Sequence, residues 1–281
     1  MAVTTSSLTS ELYANIVQSA LFTLSEQAVI RPLVRNYDMT GTPGLTAQVP
    51  IYPALSASDL TEGTDISTPT SFDTTSATIT AVERGVMVSL TDLSAESANE
   101  DVAAAIGRQI GDAMAKKMDT ELAALFSGFS NTVGSGDAEI AVEDLFKAAA
   151  TLRANQAPGP YVCVLHPYQA FQIKKQLTGA GNTNMVNPSD LGNEALRAGF
   201  IGNIAGMNVF ESTVISGDSA GAYVGAAMSQ DALGFMMKRD MRIEEQRDAS
   251  LRATEIVGSA AYGVKEIFDV YGVGIIGDAQ L

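Results

Sequence analysis

Residues 97–126 read SANEDVAAAIGRQIGDAMAKKMDTELAALF, and this stretch decides the fold. Ser97 and Glu100 have the spacing of a capping box, and Glu100 and Asp101 place negative charge where a helix N-terminus favours it. Val102, Ile106, Ile110, Met114, Met118, Leu122 and Leu125 follow at steps of four and three, an apolar stripe that winds slowly about one axis. Asp112 and Lys116 stand i,i+4 on the wet side, and Gly128 is placed to stop the helix. At 1.5 Å per residue the element spans roughly 45 Å, far longer than an average helix. Gly107 and Gly111 interrupt it at about 1 kcal/mol each relative to Ala, which predicts another backbone packed close there. A membrane dimer motif is excluded, because Arg108, Asp112 and Lys116 would lie in the bilayer.

A helix of that length needs a partner surface. A chain of 281 residues has room for one elongated domain or two small ones. Its charge is uneven. Lys and Arg number 17 against 32 Asp and Glu, a formal charge of −15. That excess argues against a nucleic-acid-binding surface, which needs clustered cations on phosphates. Residues 1–115 contain no lysine and only Arg31, Arg35, Arg84 and Arg108, whereas 238–255 alternates signs densely. One cysteine, Cys163, excludes an intrachain disulfide and a cysteine metal cluster. No uncharged apolar run reaches the ~18 residues of a transmembrane helix, so no membrane partner is expected. The first residues show no signal peptide, and cytoplasmic folding is expected.

Upstream of the helix, residues 8–28 carry Leu8, Leu12, Ile16, Leu24 and Ala28 at helical spacing. Residues 36–46 are loop-like. Ala47, Val49 and Ile51 alternate as a strand, and so do Val86, Val88 and Leu90 after Ile79. Between them, residues 53–76 are mostly Ser, Thr, Asp and Gly. A polar stretch so long is uncommon inside a compact domain. The pattern predicts an extended hairpin reaching away from its own core. Asp59, Glu62 and Asp65 lie in it without EF-hand spacing, so a solvated loop is expected rather than a calcium site.

Downstream, residues 128–139 read as a flexible turn. Val142, Leu145, Phe146, Ala149 and Leu152 mark a second amphipathic helix. A Pro-Gly-Pro break leads to a short buried strand at 161–165, and Pro167 opens a helix to Gln176. Residues 179–193 read as a loop. Strands are expected at 209–215, 222–228, 241–243, 254–261, 264–271 and 273–276, with Gly263 and Gly272 as separators. The last of these would form an antiparallel sheet under the long helix.

Motifs for chemistry are scarce. Cys163 and His166, three apart on a strand, point to opposite faces. Gly272-x-Gly274-x-x-Gly277 matches the dinucleotide fingerprint as a string, but no helix N-terminus follows to receive a pyrophosphate. There is no HExxH, Walker or Gly-x-Ser-x-Gly sequence. No catalytic, cofactor-binding or metal-binding residue is assigned, and no cofactor is expected. These readings point to a protein that works by shape and association.

Three stretches together carry a resemblance. The first is ERGVMVSLTDLSAES followed by AAIGRQIGDAMAKKMDTELAALF. The second is GPYVCVLHPYQAFQIKK with FIGNIAGMNVFES, and the third is DALGFMMKRDMRIEEQRDASLRATEIVGSAAYGVKEIFDVYGVGIIGD. In this order the chain resembles tailed-phage major capsid proteins. The resemblance implies an α+β fold of the Hong Kong 97 type: an N-terminal arm (1–46), an extended β-hairpin loop (47–90), a peripheral domain with the long spine helix (91–135), an axial domain (136–235) and peripheral return strands (236–281).

It further implies a shell subunit that assembles with itself as pentamers and hexamers around double-stranded DNA. That shell would bind DNA without sequence specificity and would meet portal, scaffolding and decoration proteins. No long scaffolding segment precedes the arm, so scaffolding is expected as a separate protein or as dispensable. Candidate inter-subunit contacts are Leu55, Asp59, Glu62 and Asp65 in the loop, and Arg239, Arg242, Glu244, Glu245 and Arg247 in the return strands. Some relatives join subunits by an isopeptide bond from a loop lysine; here Lys116 is the first lysine. Two alternatives stay open. Encapsulin-like compartment shells share the fold, and a soluble α/β enzyme is the reading from another class.

Overall fold

A computed structural model describes residues 20, 28–53, 55, 57, 59, 62, 63, 65, 72–93, 102–177, 202–217 and 221–278. The expected helix over 8–28, the capping box at Ser97 and the loop 179–193 lie outside them, Ala20 and Ala28 apart.

The long helix forms as α1, Val102–Ala124, and runs into a 3-10 turn at Leu125–Gly128. Its stripe is the buried one: Ile110, Met114, Met118 and Leu122 are essentially inaccessible to solvent. They share a core with Met241, Ile243, Ile256, Ala260 and Tyr262. Those residues come from two long strands, β10 (Leu233–Asp248) and β11 (Ala253–Glu266), paired antiparallel. β4 (Val82–Thr91) pairs with β11, and β1 (Arg35–Asp38) pairs parallel with β10, giving a four-stranded sheet in the order β1-β10-β11-β4. The helix packs on this sheet, as its apolar stripe requires.

Gly107 and Gly111 are buried on α1. In the sheet, a Cβ on Gly258 would stand 2.4 Å from Ile110 Cγ2. The i,i+4 ion pair on the helix is Lys117–Glu121 at 3.3 Å, rather than Asp112–Lys116.

The second half builds a six-stranded sheet in the order β5-β12-β9-β6-β8-β7. Its strands are β5 (Thr132–Ser135), β6 (Tyr161–Leu165), β7 (Asn203–Ile204), β8 (Met207–Glu211), β9 (Ala222–Ser229) and β12 (Gly272–Asp278). The run Tyr161–Leu165 is buried on both faces, as a continuous apolar strand requires. Val162 and Val164 point into the core shared with α1. Cys163 and Leu165 point into a second core with α2 (Val142–Ala154) and α3 (Pro167–Leu177), where Leu145, Ala149, Leu152 and Ile173 meet them.

Several expectations are corrected. Asn36–Asp38 is strand rather than loop, and Thr132–Ser135 is strand rather than turn. Both are short edge strands recruited by a neighbour, β10 and β12 respectively, so their own sequence carries no period. Gly263 lies inside β11 and separates nothing. A Cβ there would stand 2.4 Å from the Thr80 carbonyl oxygen, so the glycine marks where another backbone crosses the strand. The return strands do not stay in one sheet, because β12 pairs with β9 and β5. Phe146 is exposed on α2 instead of lying on its buried face. The Gly272-x-Gly274-x-x-Gly277 string is simply β12. Its glycines accommodate the Phe129 ring, the Phe126 carbonyl and Ile140.

Candidate functional site

Two strands stand apart from both sheets. β2 (Thr46–Ile51) and β3 (Thr75–Thr80) pair antiparallel from Thr46↔Thr80 at the root to Ile51↔Thr75 at the far end. The root is fixed by a small core of Ile79, Ala81, Met236 and Ile267, against which Ala47, Val49, Ile51 and Ala77 pack. Leu55, Asp59, Glu62 and Asp65 are all exposed. Tyr52 and Phe72, at the neck of the hairpin, stack with ring centroids 5.9 Å apart while both remain more than half exposed. The sequence reading missed this aromatic pair. Its only signal is one large aromatic on each side of a polar stretch.

The return-strand candidates divide. Arg239 is engaged by Glu83 of β4, and Arg247 holds Asp92 through two bonds of 2.5 and 2.6 Å. Both pairs join β10 to the other edge of its own sheet, so they are intrasubunit. Exposed pairs of this kind contribute only about 0–1 kcal/mol. Arg242, Glu244 and Glu245 are exposed on β10, with no ion-pair partner among the described residues. Two register shifts, between Met237 and Arg239 and between Arg239 and Arg242, interrupt the ladder with β11. There Arg239 and Arg242 line a groove of about 680 Å³ with Leu45, Ala81, Lys238 and Asp240. The Lys238 ammonium donates to the Met39 and Thr42 carbonyls at the rim of the groove.

Nothing in the described residues resembles a reaction centre. Cys163 is fully buried, and desolvation pushes its thiol up to about 12. His166 lies beyond the strand end, stacked on Tyr223 at 4.0 Å, and burial lowers its pKa. No group of three or more His, Cys, Asp or Glu side chains is placed to hold a metal among the described residues, and no described helix is long and apolar enough to cross a membrane.

Residues 74–273 match the model of the phage capsid protein family. The chain belongs to that family. No curated protein matches it by sequence. Among solved structures, a chain of Mycobacterium phage Che8 is 19% identical over 88% of this chain and 90% of its own, with a TM-score of 0.71. The capsid of cyanophage P-SCSP1u is 16% identical over 90% and 89%, with a TM-score of 0.68. The capsid of a native GTA particle is 13% identical over 90% and 91%, with a TM-score of 0.69. The capsid protein therefore has the Hong Kong 97-type fold. It is a major capsid protein that assembles with itself into a phage head shell, a structural component of the virion and not an enzyme.

Proposed function

We propose that this capsid protein closes its shell as pentamers and hexamers, and that the extended β2–β3 loop is the principal contact between neighbouring subunits. In this reading α1 with the four-stranded sheet is the peripheral domain, and the six-stranded sheet with α2 and α3 is the axial domain. The observation that carries it is the exposure of Leu45, Tyr52, Leu55 and Phe72 on one projecting hairpin. Apolar side chains left outside every core of their own chain gain burial only on another molecule. Subunits assemble in the host cytoplasm, with scaffolding, portal and decoration proteins as separate partners. The shell encloses double-stranded DNA without sequence-specific contacts, consistent with a charge of −15 that repels phosphate.

Shortening residues 55–71 to a tight turn tests the reading. The subunit should fold with an unchanged circular dichroism spectrum and fail to form closed particles by negative-stain microscopy. Normal particles from that deletion would remove the hairpin from the assembly contact.

A further inference from the structure

Four side chains form a continuous stack across the sheet that packs on α1. The Arg84 guanidinium of β4 lies 4.6 Å from the ring centroid of Tyr262 on β11. Tyr262 stacks on Phe235 of β10, with centroids 5.5 Å apart and planes 20° from parallel. The Arg31 guanidinium, in a 3-10 turn ahead of β1, lies 5.0 Å from the centroid of the Phe235 ring. The stack follows the strand order of the sheet from one edge to the other. Each cation–π end is worth a factor of about 2 to 30 in an equilibrium, the larger value where water is excluded.

The two ends are held differently. Arg84 is fixed, because its Nε donates to Glu121 of α1 at 2.6 Å and its Nη1 to the Val82 carbonyl at 3.0 Å. The Arg31 side chain makes no hydrogen bond or ion pair among the described residues, so the Phe235 ring is its seat. Beside it opens a cavity of about 630 Å³ with Asp38 and Asp240 on its wall, which gives the guanidinium room to leave the ring. The two rings between the arginines are fully buried. Close-packed interiors transmit a displacement rather than absorb it. A shift of Arg84 therefore moves Tyr262 and then Phe235, and takes the seat from Arg31.

Arg84 stands just past Ala81, at the root of the β2–β3 hairpin. Arg31 ends the short segment whose N–H groups, at Val29, Ile30 and Arg31, bond Asp119 of α1. We infer that the stack couples the root of the hairpin to the segment entering β1, with Arg31 as a latch that the Phe235 ring holds shut. A neighbour that displaces the hairpin then loosens residues 29–31. That consequence rests on the hairpin being a contact between subunits, whereas the coupling itself belongs to the single subunit.

Amide hydrogen exchange on the full-length subunit tests the coupling. Arg84→Met should speed exchange at residues 29–31 about tenfold, and Phe235→Leu should do the same. The double variant should be no faster than Phe235→Leu alone, because the stack is already broken. Coupling is reciprocal, so Arg31→Ala should speed exchange at Arg84–Val86. The amides of Tyr161–Leu165, in the other sheet, report global stability and should keep their rates. An equal rise there would mean general destabilisation and overturn the stack. Unchanged rates at 29–31 in Arg84→Met, or effects that multiply in the double variant, would sink it as well. Should the two core variants not fold, Arg31→Ala decides alone: no change at Arg84–Val86 ends the proposal. The 55–71 deletion reports separately on the hairpin contact, and normal particles from it would remove the consequence in the shell while the exchange rates still judge the coupling.

Discussion

The Asp119 carboxylate of α1 accepts the backbone N–H of Ile30 at 3.1 Å. It also accepts those of Val29 at 2.7 Å and Arg31 at 3.1 Å. These donors lie at the entry to a 3-10 turn at Arg31–Leu33, whose N-cap residue provides no side-chain bond of its own. A residue some ninety positions away does the capping, and it ties the segment leading into β1 to α1. Asp119 is only 1% exposed. Burial raises its pKa, and the three N–H groups pull the other way.

Asp119→Asn should therefore destabilise the subunit while keeping its shape. The amide turns one acceptor into a donor facing an N–H, so at least one buried donor is left unmet, at a cost of about 1–3 kcal/mol. Asp119→Ala leaves all three unmet and should cost more. Urea unfolding of dissociated subunits measures both, and a wild-type midpoint for the Asn variant would show that the clamp contributes nothing.

A second prediction follows from the helix–sheet contact. Gly258→Ala places a Cβ 2.4 Å from Ile110 Cγ2, so Ile110 or the strand must shift, at about 1–3 kcal/mol. Adding Ile110→Ala removes the clashing methyl. The double variant should then be less destabilised than the sum of the two single changes, and additive costs would place the strain elsewhere.

Much of this architecture was legible in the sequence wherever one chain segment carries its own period. The stripe from Ile110 to Leu122, the alternation at Met241 and Ile243, and the continuous run Tyr161–Leu165 all named their buried faces correctly. The elements that were missed depend on a partner. β1 and β5 are strands only because β10 and β12 have free edges beside them. Gly263 reads as a break until the backbone at Thr80 is seen crossing it. The loop candidates were legible as exposed because a polar, cation-free stretch has nothing to bury. Arg239 and Arg247 were not legible as intrasubunit partners, since Glu83 and Asp92 lie more than 150 positions away.

The response of the dissociated subunit to acid can be given a sign. His166 stacks on Tyr223 and Tyr168, and burial lowers its pKa below 6.5 in the folded chain. The unfolded chain then binds the extra proton first, so stability is full above pH 6.5 and falls as pH drops through the lowered folded value. Asp119 and Glu266 have raised pKa values, both mainly through burial, and act in the opposite direction. Their contribution is complete only below the ordinary values of 3.8 and 4.5 and is lost as pH rises through the folded ones. Melting temperature should step down as pH falls below 6.5. His166→Phe keeps the stacking and should flatten that step; an unchanged step would assign it to other groups.

The last prediction concerns how the shell is held. A lysine in the extended loop is what some related shells use to join subunits covalently. Here residues 36–83 contain no lysine, and the first one, Lys116, lies on α1. The single thiol offers no second route, because Cys163 is fully buried in β6 and desolvation pushes its pKa up to about 12. A protonated thiol without solvent access does not attack a disulfide. With the hairpin contact proposed above, the forces that remain are apolar burial, strand edges and ion pairs, all of which boiling detergent disrupts. Mature particles treated in that way should run as one band near 29.3 kDa, with or without reductant. A ladder that survives reductant would mean that a residue outside the loop supplies a crosslink, and one that disappears with reductant would mean that Cys163 becomes exposed in the shell.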